Sequence, residues 1–182
     1  WITRDLEQKA LGHAIAEVVP AHVAEVRERR LAWIEKARAA NGTEKIAVIR
    51  RELQETMDKN AQVFRTEDTL NEALDKIKEL RARYENIGIQ DRGRRFNTDL
   101  LEAVELGFLL DLAEVTVITC RERRESRGAH LREDFPDRDD KKFMVHSMAY
   151  KVDKTDKATG TNIKLGWKPV VITNYQPMER KY

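Results

Sequence analysis

Residues 69–84 read Thr69-Leu70-Asn71-Glu72-Ala73-Leu74-Asp75-Lys76-Ile77-Lys78-Glu79-Leu80-Arg81-Ala82-Arg83-Tyr84, and they decide the fold class. Leu70, Leu74, Ile77, Leu80 and Tyr84 recur at helical spacing and form one apolar stripe. Asp75, Lys76, Lys78, Glu79, Arg81 and Arg83 fill the opposite face, which reads as a solvated surface. Thr69-Leu70-Asn71-Glu72 fits a capping box, in which hydroxyl and carboxylate satisfy reciprocal backbone donors, and Thr66 is the alternative N-cap. Such a helix needs neighbours to cover its stripe, and the flanking sequence supplies them.

Upstream, Ile46, Ile49, Leu53 and Met57 form a second stripe with Val48 beside it and Thr43 as the expected cap. Leu6, Ala10, Leu11, Ile15 and Val19 predict a further helix, interrupted near Pro20 and resumed by Val23, Val26, Leu31 and Ile34. Trp33 and Ala37 lie on an adjoining face, and Asn41-Gly42 is a stop signal. Downstream, residues 98–120 hold five acids, no base and apolar residues on more than one face, the pattern of a central helix packed from several sides. Asp99 and Glu102 near its start, and Arg121, Arg123 and Arg124 at its end, complement the helix dipole. Residues 143–150 and 169–175 read as two strands around a polar loop at 153–162. The expected fold is mainly α: an antiparallel helical bundle, then an irregular charged loop and a small C-terminal β-hairpin. Its expected parts are a helical lead-in over 1–42, the bundle over 43–124, and the loop with its β appendage over 125–182.

Composition narrows the function. Of 182 residues, 41% are hydrophobic and 36% charged, and 34 bases against 32 acids leave a net charge of +2. The apolar content argues against disorder. The balance argues against a general nucleic-acid binder, which needs a basic excess to neutralise phosphates. No apolar run approaches the roughly 18 residues that span a bilayer. The single cysteine, Cys120, forms no internal disulfide and reads as a small core residue in a reducing, cytoplasmic setting. A chain opening on Trp1 is expected to be part of a longer one. None of its eight glycines falls into a dinucleotide or phosphate-loop spacing. His13, His22, His130 and His146 lack the helical spacing of a metal pair. Ser126 lacks a nucleophile elbow. Trp1, Trp33 and Trp167 read equally as core or as interface anchors.

The informative stretch is 121–142, where eight of 22 residues are basic and seven acidic. Such mixing suits paired ions and charge-assisted hydrogen bonds, and Gly128 and Pro136 shape it as a turn. Alone it reads either as a solvated loop or as a loop buried against a larger partner. Arg127, Arg132 and Arg138 are expected to pair with Glu133, Asp134, Asp137 or Asp139, with His130 in a structural hydrogen bond.

The chain also carries Met57-Asp58-Lys59-Asn60-Ala61, Val63-Phe64-Arg65-Thr66-Glu67, Arg95-Phe96-Asn97-Thr98-Asp99-Leu100-Leu101-Glu102-Ala103 and Glu105-Leu106-Gly107-Phe108-Leu109-Leu110. Further on come Glu125-Ser126-Arg127-Gly128-Ala129-His130, Arg132-Glu133-Asp134-Phe135-Pro136-Asp137-Arg138-Asp139-Asp140 and Pro177-Met178-Glu179-Arg180-Lys181-Tyr182. From about residue 43 onward the sequence resembles the C-terminal region of the flavoprotein subunit of the succinate dehydrogenase/fumarate reductase family, in its actinobacterial form. Residues 1–42 carry no matching motif. The resemblance implies a parent enzyme that oxidises succinate to fumarate with FAD, bound upstream of this segment, and passes electrons to an iron–sulfur subunit and quinone. It implies no catalytic, cofactor or metal residue here, and an inactive isolated segment. Its implied partners are the flavin domain of the same subunit, the iron–sulfur subunit and a flavinylation assembly factor. Its implied place is the cytoplasmic face of the plasma membrane, reached through other subunits. The docking network would be Arg127, His130, Arg132, Glu133, Asp134, Asp137, Arg138 and Asp139. A free-standing helical interaction domain is the rival reading. An RNA binder using residues 92–95 and the tail, where seven bases face three acids over 151–182, is the other.

Overall fold

The structure is a computed structural model that describes residues 15–152 and 154–178, with side chains from residue 23 onward. The stripe expected from Leu6 to Val19, along with Trp1, His13, His22 and the last four residues, lies outside the described residues or side chains. The elements in order are α1 (Ile15–Arg38), α2 (Ile46–Asn60), β1 (Phe64–Arg65), α3 (Glu67–Tyr84), α4 (Thr98–Glu122), β2 (Leu131–Arg132), α5 (Asp140–Phe143), β3 (Val145–Lys151) and β4 (Ile163–Pro169).

α3 packs on both α2 and α4, and its stripe is the middle of the core. Ile49 from α2, Leu70, Ile77 and Leu80 from α3, and Leu106, Leu110, Val117 and Ile118 from α4 have no exposed area. Contacts between helix ends set the directions. Arg83, late in α3, reaches Glu44 ahead of α2, while Tyr84 donates to the Ala103 carbonyl early in α4 at 2.9 Å. Both neighbours therefore run antiparallel to α3. The charged face of α3 is the expected solvated surface only in part: Asp75, Lys78 and Glu79 are exposed, but Lys76, Arg81 and Arg83 reach the neighbouring helices. Arg83 bonds Glu44 at 3.0 Å and Glu52 at 2.8 Å, and Lys76 meets Glu52 at 2.9 Å. On the other side Arg81 bonds Asp111 and Glu114, both at 2.8 Å. The bonds from Arg83 and Lys76 hold the Glu52 carboxyl down at about 2.

Other local expectations are corrected. α1 runs through Pro20, which forfeits only one bond of the helical ladder. Thr43 does not cap α2, whose N-cap is Lys45, because its hydroxyl takes the Asn86 side chain at 3.1 Å instead. The cap of α3 is the alternative, Thr66, closed reciprocally with Thr69 rather than with a Thr69–Glu72 box. The connection between α1 and α2, at Gly42, crosses closely over the segment after α3, at Gly88: a Cβ on Gly42 would lie 1.9 Å from the Asn86 carbonyl oxygen.

The hairpin exists, but its second strand lies earlier than expected. Val145–Lys151 pairs antiparallel with Ile163–Pro169, Met148 facing Gly166. Residues 169–175 looked strand-like from their β-branched content. However, Ile163 and Leu165 are the residues that reach the bundle core, while Val171 and Tyr175 stay exposed. Burial, not propensity, chose the strand. Phe143, expected to open the first strand, ends α5 and packs edge-on against Trp167 with centroids 5.7 Å apart.

α4 has two apolar faces with different fates. Leu110 is fully buried, whereas Leu101, Phe108 and Leu112 are exposed, Leu112 by 63%. Leu110→Ala is expected to cost about 2–5 kcal/mol in urea unfolding. Leu112→Ala should cost no more than about 0.5 kcal/mol, as at other surface positions.

Candidate functional site: a buried ionic elbow

The mixed-charge stretch leaves α4 and folds back across the end of α4 and the start of α3. Gly128, at φ +60°, turns it, and the turn is closed by the Arg127 N–H to the His130 carbonyl at 2.8 Å and the reverse bond at 3.1 Å. β2 then runs parallel to β1, Phe64 facing Leu131 and Arg65 facing Arg132. This short strand at 64–65 gives the elbow its register. The Glu133 N–H continues the ladder to the Arg65 carbonyl at 2.9 Å. The Ser126 hydroxyl pins the return, accepting from the Arg132 N–H at 2.8 Å and donating to the Phe135 carbonyl at 2.9 Å.

Arg132 is fully buried, and all five of its guanidinium N–H groups are used. Nε and Nη2 grip the two Asp134 oxygens at 2.8 Å each, and Nη2 also reaches Glu67 at 3.0 Å. Nη1 donates to the carbonyls of Cys120 and Arg121 at 2.9 and 2.8 Å, satisfying acceptors that the end of α4 leaves open. Asp134 in turn accepts from the Glu67 N–H at 2.8 Å, the first residue of α3. One side chain thus closes the C-terminus of one helix and, through a carboxylate, the N-terminus of another. Phe135 lies against the guanidinium, its centroid 5.0 Å away. The Arg132 bonds and the Glu67 N–H hold the Asp134 carboxyl down at about 2.

Glu125 is the second charge with no exposed area. Arg127 grips it at 2.9 and 3.0 Å, the Asp139 N–H donates at 2.9 Å, and Arg123 completes the cage. Burial works against its charge, but these donors outweigh it and its carboxyl titrates below the usual range. Arg123 also lies over Phe143 and Trp167, 5.5 and 5.8 Å from the centroids, which joins the elbow to the hairpin. His130 fixes its own tautomer. Arg65 donates to Nδ1 at 2.8 Å, so Nε2 carries the proton and donates to the Arg123 carbonyl at 2.9 Å. Burial pushes its pKa down, and the nearby charges of Arg65, Arg132 and Arg123 push the same way.

The elbow therefore gathers Arg127, His130, Arg132 and Asp134 as one network, but the pairing differs from that expected. Only Arg132–Asp134 matches. Arg127 takes Glu125 and, at 2.6 Å, Asp140, and Arg138 takes Asp140 and the Met178 carbonyl, both at 2.9 Å. Asp139 caps α5 through the N–H groups of Lys141 and Lys142. Glu133 and Asp137 are exposed and lend backbone groups only. Missed were Arg65, Glu67, Arg123, Glu125, Ser126 and Asp140. Five of them, Arg65, Glu67, Glu125, Ser126 and Asp140, stand in the very motifs that carried the family resemblance, but pieces some sixty residues apart gave no sign that they meet.

Fold and elbow together define an α-helical domain locked by internal ion pairs. Among the described residues, no cluster of His, Cys, Asp or Glu is arranged to hold a metal, and no helix is long and apolar enough to cross a membrane. Residues 50–182 match the family described as fumarate reductase flavoprotein C-term. The chain is 42% identical to the succinate dehydrogenase flavoprotein subunit of Rickettsia bellii over 82% of its own length and 24% of the relative's. It is 40% identical to the fumarate reductase flavoprotein subunit of Mycobacterium tuberculosis over 81% of its length and 24% of the relative's. An E. coli quinol fumarate reductase has the same fold with TM-score 0.77 and 32% identity, over 92% of this chain and 27% of that one. The chain belongs to the succinate dehydrogenase/fumarate reductase flavoprotein family, and it spans about a quarter of the length of these relatives.

Among the described residues, Gly42 and Gly88 press against Asn86 and against each other, so neither offers the phosphate cradle that FAD, which the family implies, would need. No chemical step is assigned to this segment.

Two outcomes are expected. Arg132→Met, which strands Asp134 and the helix-end carbonyls, should cost about 3–5 kcal/mol in urea unfolding. Arg138→Met, at an exposed pair, should cost at most about 1 kcal/mol. Because His130 is held neutral when folded, its contribution is full above the unfolded value near 6.5 and falls away as pH drops below it. Melting temperatures from pH 7.5 to 5 should fall more for the wild type than for His130→Gln, and parallel curves would refute this.

Proposed function

We propose that this chain is the trailing helical domain of a flavoprotein subunit that interconverts succinate and fumarate. FAD and the substrate-handling groups belong to the upstream part of that subunit, and electrons leave through an iron–sulfur subunit towards quinone. The segment itself is inactive and structural: it seats the flavin domain and contributes to the contact with the iron–sulfur subunit. A flavinylation assembly factor is a further partner, and the whole sits peripherally at the cytoplasmic face of the plasma membrane through other subunits.

The observation that carries this reading is the fully buried Arg132. A domain that spends its densest charge on closing itself has a rigid frame and no spare catalytic constellation. Its unspent surface is the exposed apolar face of α4, with Leu101, Phe108 and Leu112, beside Val23, Leu31 and Ile34 of α1. Exposed apolar surface of this extent suits a large covering body, and the relatives are more than three times as long as this chain. The elbow would then act on the cofactor indirectly, by holding that face in shape and keeping water from the seam.

In the full-length subunit, Arg132→Met and Arg127→Ala are expected to lower covalent flavin content and melting temperature while leaving the KM for succinate unchanged. Unchanged flavin occupancy and melting temperature, or turnover of a dicarboxylate by the isolated segment, would overturn the reading.

A further inference from the structure

Between α3 and α4 the chain forms a knuckle over residues 90–97. Its tip is Phe96, the only described non-glycine residue with positive φ, at +51°. A bulky side chain there is strained. The phenyl ring is also 99% exposed. Phe96 precedes the α4 N-cap Asn97, so its natural local partner is Leu101 in the first turn, the pairing of a hydrophobic staple. That staple is open, since a ring so exposed packs on nothing.

The knuckle is nevertheless built firmly. The Asn97 amide donates to the carbonyls of Asp91 and Gly93 at 2.7 and 3.0 Å, and its oxygen accepts from the Leu100 N–H at 2.7 Å. Asp99 accepts from the N–H groups of Gln90 and Asp91 at 2.6 and 3.3 Å, and Asp91 accepts from the Gly93 N–H at 2.7 Å. Arg92 and Arg38 exchange bonds with each other's carbonyls, which ties the knuckle to α1. Asp91 of the knuckle and Asp99 of the first turn of α4 are thus spent on backbone, while Arg94 and Arg95, next to Phe96 in the chain, are exposed, with Glu35 only grazing Arg94 at 4.0 Å.

A strained, rigid, solvent-facing aromatic flanked by arginines has the composition of an interface centre. Its charge differs from that of the apolar face of α4, where the flanking acids Glu105 and Asp111 are already paired with Arg50, Arg81 and Lys151. Two surfaces of different character, one with unspent positive charge and one electrically satisfied, suit two partners. We infer that Phe96, with Arg94 and Arg95, plugs into an acidic surface bearing an apolar socket on a separate subunit. Resting on the function proposed above, that subunit is the iron–sulfur subunit, while the α4 face serves the flavin domain.

The test uses the full-length subunit in its complex, carrying Phe96→Asn, Phe96→Ala, or Arg94→Glu with Arg95→Glu. Asparagine tolerates the left-handed backbone, so Phe96→Asn should leave the melting temperature of the flavoprotein unchanged or raise it. All three variants should keep full flavin content but release the iron–sulfur subunit at least about tenfold faster. The charge pair should also flatten the salt dependence of assembly. Loss of flavin with the subunit retained would assign the knuckle to the flavin domain and overturn the inference. So would unchanged retention, or RNA binding by the wild type that the charge pair abolishes. Failure of the broader reading is separable, because it appears in the flavin content of Arg132→Met, whose site lies in the elbow.

Discussion

A guanidinium with no exposed area organises this domain. Taking Arg132 out of water costs several kcal/mol, and only a full set of partners offsets that. The set is complete and it comes from three places: the last carbonyls of α4, the side chain of the first residue of α3, and Asp134 two residues along the elbow itself. None of these positions is free to drift without leaving a buried charge unpaired. The helix ends and the elbow therefore form one object, and the parallel pairing of β1 with β2 is the backbone expression of the same constraint.

The rest of the fold distributes that rigidity. Glu125 passes it from Arg127 to Arg123, and Arg123 passes it into the hairpin through Phe143 and Trp167. Arg121 donates to the Thr159 carbonyl at 3.2 Å, which ties the hairpin loop to the same helix end. At the far end of the bundle, Arg83 and Arg81 bridge α3 to its two neighbours. What remains uncommitted is equally well defined: one apolar face of α4, the sides of α1, and the knuckle at Phe96.

The sequence made the bundle legible because helical periodicity is a local signal. Leu70, Leu74, Ile77 and Leu80 are all buried, as are Ile46, Ile49 and Leu53. Two-faced apolarity likewise marked α4 as central, although it could not tell the face covered within this chain from the face left bare. The charged stretch declared itself as a network but not its wiring. Its decisive partners, Arg65 and Glu67, sit some sixty residues upstream, and no spacing rule spans that gap. Caps and strand ends failed for the opposite reason. Thr69–Glu72 and residues 169–175 obeyed local rules, but Thr66 already closed α3 and Ile163 offered more to the core.

Hydrogen exchange at single amides tests the central claim most directly. The N–H of Glu67, which binds Asp134, and those of Arg132 and Glu133 should exchange as slowly as core amides such as that of Leu110. Exchange of those three at rates of an open loop, with the bundle core still protected, would show the elbow as a hydrated appendage and contradict the account.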